Sequence, residues 1–142
     1  MKKTILAALL ALLSIPAFAA SSNYQSKVSY ETVTITIADS TTVSEAKDLQ
    51  GTTVVGIFLP STFDGTALTF QASSTIDGTY VAVEDGAGTP ATITLTASAA
   101  SKYIALSAAI QDQLRGLRFI KVVTSSAQTT TNTILTLALR PL

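Results

Sequence analysis

The side chains best equipped for chemistry are three carboxylates, Asp77, Glu84 and Asp85, which fall around one expected hairpin. A glycosidase needs such a pair held about 5 to 10 Å apart, and clustered hard oxygen ligands can hold calcium. The spacing argues for something plainer. Asp77 and Asp85 each precede a glycine, where turn geometry favours aspartate, and the calcium-loop pattern D-x-[DN]-x-[DN]-G does not occur. The expectation is turn residues, with a weak calcium site at Asp77, Glu84 and Asp85 as the minor alternative and no catalytic residue.

The absent residue types exclude more. The chain has no histidine and no cysteine. A Ser-His-Asp or Cys-His nucleophile pair, a histidine general base and an ordinary zinc site are therefore ruled out. Serine and threonine are abundant but have no base to activate them. No cofactor is expected. Without disulfides, packing and sheet hydrogen bonds must hold the fold, aided by oligomerisation.

Lys102, Arg115, Arg118 and Lys121 are the one basic cluster in the sequence. Arg118 alternates with Leu117 and Phe119, which puts it on the wet face of a strand, and Lys121 joins it there if a bulge shifts the phase. The plain reading is a solvated face or an aggregation gatekeeper; the functional one is a polar contact with a neighbouring subunit. Of the aromatic residues, Tyr24 in the leader and Phe63 in a loop are the better interface candidates. Tyr80 and Tyr103 sit in alternating strands and read as core or rim residues with a wet hydroxyl. A sugar-stacking platform would have to do without tryptophan.

These residues must be positioned by strands. Period-2 alternation runs from Glu31 onward and is complete in Val33-Thr34-Ile35-Thr36-Ile37. Val54 to Leu59 is almost wholly apolar and reads as a central strand, with Gly56 marking a bulge or a close neighbour. Further strands are expected at 68–72, 80–83, 93–95, 103–106, 117–123 and 134–140, eight in all. Asp64-Gly65, Asp77-Gly78 and Asp85-Gly86 supply turns. Ser107 to Leu114 is the one helical turn, closed by Gly116. Short strands at short spacing predict an all-β, antiparallel β-sandwich or jelly-roll-like single domain.

The N-terminus reads as an export signal, residues 1–19, forming a signal-peptide helix. Lys2 and Lys3 precede an apolar run from Ile5 to Ile15, and Ala17-Phe18-Ala19 forms a cleavage box. The run is shorter than the roughly 20 residues of a membrane span. Residues 20–30 read as a flexible leader and 31–142 as the domain. Two of the nine basic residues lie in the signal, so seven remain against nine acidic ones. That mildly acidic balance gives no footprint for nucleic acid and none for anionic lipid after cleavage.

Three stretches carry a likeness beyond generic β chemistry. They are VGIFLPSTFDGTALTFQASSTIDGTYVAVEDGAG (55–88), KYIALSAAIQDQLRGLRFIKV (102–122) and the terminal ILTLALRPL (134–142). As a series they resemble a family of small β-sandwich structural proteins of tailed-phage virions. The resemblance implies capsid decoration or another particle-surface role, without enzymatic activity. It implies a protein assembly (capsid, filament or self) as partner, and an oligomer or docked subunit as the working state. The alternative is an exported module that binds a glycan or another surface ligand. The expected location is the periplasm or medium for the cleaved chain, and the virion under the phage resemblance.

Overall fold

A computed structural model describes residues 30–95, 101–129 and 131–142. The expected signal (1–19) and Tyr24 lie outside the described residues. The chain order is β1 (Glu31–Ile37), β2 (Lys47–Asp48), β3 (Thr52–Phe58), β4 (Ala67–Ser73) and β5 (Val81–Ala82). There follow β6 (Ile93–Thr94), β7 (Tyr103–Ala105), α1 (Ala108–Leu114), β8 (Phe119–Thr124) and β9 (Thr133–Pro141). Among the described residues the fold is all-β, built from two antiparallel sheets, with one short helix.

The first sheet has the order β1-β9-β3-β7. Alternation places its strands: Ile35 and Ile37 of β1 and Leu135, Leu137 and Leu139 of β9 are fully or almost fully buried. Thr34, Thr36 and Thr136 take alternate positions between them, as expected where one face is dry and one wet. β9 is central, paired with β1 through Ile35↔Leu135 and with β3 through Ile57↔Leu137.

The second sheet runs β2-β8-β4-β5, and β6 also pairs with β4. β5 lies beside Gln71 and Ala72, and β6 beside Ala67 and Leu68, so the two occupy one edge of β4 in succession. Between them the chain leaves the sheet in a hairpin pinned by the Glu84↔Pro90 bridge. Leu68 and Phe70 of β4 and Ile120 and Val122 of β8 meet the first sheet's aliphatic side chains in one core cluster.

The chain between β1 and β2 ties the sheets together. Ser44 N–H donates to the Val122 carbonyl and Glu45 N–H to that of Thr36. One short segment therefore bonds to both layers, as strands do where they switch sheets. At the other crossover, α1 leads from β7 to β8. Ser107 caps it by accepting from Ile110 N–H. Gly116 follows the helix at φ +79°, a conformation that glycine adopts without strain.

Two expectations need correction here. β2 was not anticipated: two residues, Lys47 and Asp48, carry no alternation to read. And β8 begins at Phe119, not 117. Ile120, Val122 and Thr124 are its inward positions, so Phe119, buried under Arg118, and Lys121 share the other face with no register shift in the pairing to β4. Lys121 needs no bulge to reach that face, and Arg118 lies before the strand.

Candidate functional site

The most distinctive surface is the outward face of the first sheet. Register places Thr34, Thr136, Phe58 and Tyr103 in one row across all four strands. Thr36 beside Ile134 forms the adjacent row on one side, and Thr32, Ala138, Gly56 and Ala105 the row on the other. Those ten positions carry no formal charge. Phe58, Tyr103 and Ile134 are exposed at 45%, 47% and 52%, and the Phe58 and Tyr103 rings meet with centroids 4.6 Å apart at a 43° tilt. Phe58, Tyr103 and Ile134 are thus large exposed apolar side chains gathered on one sheet face, not scattered singly.

Phe58 reaches this face because of a bulge. In an unbroken strand Val54 and Phe58 would point the same way, since side chains alternate with period two. The pairing with β9 shifts between Val54 and Gly56. Val54 and Ile57 therefore both enter the core, and Phe58 is turned outward. Gly56 also has the close neighbour expected of it: the Tyr103 ring fills the space a side chain there would need.

The expected interface residues are dispersed. Phe63 is not a loop-surface residue: at 7% exposure it belongs to the core, because Phe63 N–H donates to the Pro60 carbonyl and the turn folds the ring inward. The four basic residues occupy four different settings. Lys102 immediately precedes β7, and Arg115 caps α1 with a loose 3.8 Å contact to Asp112. Arg118 pairs with Asp48 at 3.3 Å and lies 4.9 Å over the Phe119 ring. Lys121 Nζ sits 4.3 Å from the centre of the Tyr80 ring. A cation over an aromatic face is attracted to it, so Arg118 and Lys121 each have a partner within the chain.

Asp77 and Asp85 are turn residues, and Glu84 lies in the bridge to Pro90 at the base of the second turn. Asp85 Oδ1 accepts from the N–H groups of Thr89 and Ala87 at 2.8 and 2.9 Å. Those bonds favour the ionised form and hold the Asp85 carboxyl below its ordinary range. Asp48 is lowered in the same way, first by the Gln50 N–H and then by Arg118. Tyr80 donates to the Ile76 carbonyl at 2.9 Å; burial pushes its phenol up, and Asp77 pushes the same way. Among the described residues no three acidic side chains come together to hold a metal ion. Asp77, Glu84 and Asp85 therefore do not assemble the calcium cluster that their spacing allowed.

Gln128 is a polar residue that sequence reading passed over. It lies in the Ser/Thr-rich connection before β9, yet it is fully buried. Its Oε1 accepts from the Asp64 N–H and the Thr133 hydroxyl, and its Nε2 donates to the carbonyls of Asp64 and Ser126. Nothing in its polar neighbourhood signals burial.

No protein-family description, curated protein or solved structure matches this chain.

Proposed function

We propose that the chain is a non-enzymatic structural module, a jelly roll that works by self-association or by docking on a larger assembly such as a virion surface. The observation that carries this reading is the block of ten uncharged, threonine-rich positions on the outer face, with Phe58, Tyr103 and Ile134 exposed among them. Interface cores are depleted in charge and enriched in aromatic residues, and this face has that composition. The strand orders β1-β9-β3-β7 and β2-β8-β4 followed by β5 and β6 support the jelly-roll reading. Merging β5 and β6 into one interrupted edge strand leaves eight strands in two four-stranded sheets, an arrangement used by capsid and lectin domains. The absence of histidine and cysteine from the sequence supports a role without catalysis. The export-signal reading of residues 1–19 rests on their sequence, and with it the proposal of a periplasmic or extracellular location.

Light scattering and electron microscopy of the chain from which residues 1–19 have been removed test the proposal. Oligomers or particle-bound subunits are expected, and Phe58→Glu with Tyr103→Glu should abolish them, since both place charge in the interface. A monomer at high concentration that binds no particle or filament counts against it.

A second reading has one observation in its favour. The Phe58–Tyr103 pair beside the hydroxyls of Thr34 and Thr136 has the mixture of ring faces and polar groups that suits a sugar. A glycan array separates the two readings. Binding that is lost in Phe58→Ala, with no self-association, favours an exported glycan-binding module.

A further inference from the structure

A cleft of about 530 Å³ opens between the end of β9, β3 and the C-terminus of α1, lined by Thr53, Arg115, Arg140, Pro141 and Leu142. Thr53 and Arg140 are direct cross-strand neighbours on β3 and β9. Arg115 enters from the cap of the helix. Two arginines from separate elements thus line one space, and both are permanently charged. Arg140 has no ion pair among the described residues, and the Arg115 contact to Asp112 is long and solvent-exposed. Neither guanidinium in the cleft is therefore held by a close, buried ion pair.

The second observation concerns Thr53. It is 1% exposed, and its hydroxyl has no hydrogen-bond partner. Buried polar groups are nearly always satisfied, and a hydroxyl left without a partner beside two arginines is able to donate to an acceptor that enters the cleft. A comparably sized cleft beside Ser73, Thr79 and Arg118 lacks this combination, because its arginine is already held by Asp48.

We propose that the Thr53–Arg115–Arg140 cleft binds an oxyanion, the shared chemistry of phosphate, sulfate and carboxylate groups. The guanidinium groups supply charge-assisted hydrogen bonds from two sides, and the Thr53 hydroxyl supplies a third donor once the neighbouring Arg140 side chain turns toward the anion. Pro141 and Leu142 give the cleft an apolar wall, which fits an anionic group carried on a small uncharged body.

The test is an amide NMR titration of the chain with sodium phosphate, sodium sulfate and sodium acetate, each against sodium chloride at equal ionic strength. Saturable shifts at Thr53, Arg115 and Leu142 are expected with at least one oxyanion and not with chloride. A preference for phosphate and sulfate assigns a tetrahedral group, and a preference for acetate a carboxylate. Arg140→Gln and Arg115→Gln should each weaken binding about tenfold or more, as for loss of a hydrogen bond to a charged group. Thr53→Val removes the orphaned hydroxyl at nearly constant shape, so it should fold at least as well as the parent yet bind more weakly. Shifts no larger than with chloride, shifts centred elsewhere, or parental affinity in Thr53→Val and Arg115→Gln overturn the proposal.

Discussion

The ring of Tyr103 on β7 occupies the space above Gly56 on β3, so that a Cβ at residue 56 would fall within the tyrosine. The strand bulge, the bare backbone and the exposed ring form one device, and each presupposes the others. Gly56→Ala should cost about 1 to 3 kcal/mol, the usual range for forcing volume into a packed site. In a Tyr103→Ala background the same change should cost much less, because the obstructing ring is gone. Urea denaturation of the four chains gives the coupling. Additive losses would show that Tyr103 is not what excludes a side chain at residue 56.

Gln128 ties the loop carrying Asp64 to the connection before β9 from a position with no solvent access. Gln128→Leu keeps the volume but strands the Asp64 N–H and carbonyl and the Thr133 hydroxyl. Each orphaned buried group costs about 1 to 3 kcal/mol, so a loss of about 2 to 5 kcal/mol is expected. The measurement is the denaturation midpoint at constant slope. A loss under about 1 kcal/mol would mean that these groups find other partners, contrary to what full burial implies.

Acid should weaken the fold over a narrow pH window. Asp85 and Asp48 both titrate below the ordinary carboxylate value of 3.8 in the folded state. The unfolded chain therefore takes up protons first as the pH falls. Their contribution is complete above the unfolded pKa of about 3.9 and is lost on the way down through the lower folded values. With no histidine and no cysteine, no side chain of ordinary pKa titrates between about pH 5 and 8. Stability should be flat there. Denaturation curves from pH 2 to 8 test both statements, and Asp85→Asn should shallow the acid limb. A limb of unchanged slope in that variant would remove Asp85 from the account.

The sheets were legible in the sequence because alternation is a physical record of having one dry face. Val33 to Ile37 and Ile134 to Leu139 show it directly, and the register Ile35↔Leu135 joins them. The candidate face was not legible, for a reason equally physical. Phe58 lies in an apolar run whose parity is changed by the bulge at Gly56. A glycine announces that a bulge is allowed, but only the partner strand fixes where the extra residue goes. Phe63 failed in the opposite direction, since a ring in a turn between Pro60 and Asp64-Gly65 looks exposed until the turn is seen folding over the core. Arg140 and Thr53 share a cleft only because β3 and β9 pair across 87 positions of sequence, and no local pattern encodes that meeting.

The same long-range pairing makes the last strand indispensable. β9 is hydrogen-bonded on both sides, to β1 and to β3, and it buries Leu135, Leu137 and Leu139. Deleting residues 134–142 removes those three side chains, each contributing about 1.5 to 3 kcal/mol by burial. It also leaves the inner edges of both neighbours without partners. Against a typical domain stability of about 5 to 15 kcal/mol, the truncated chain should not fold, and its circular dichroism should lack a cooperative transition. Ile134→Thr is the matched control. Ile134 belongs to the same strand but points outward at 52% exposure, so its replacement by a strand-compatible polar residue should stay within about 0.5 kcal/mol. A cooperative melt near the parental temperature after truncation would place the core elsewhere, and a large loss in the control would mean that the outward face of β9 is already packed against a second surface.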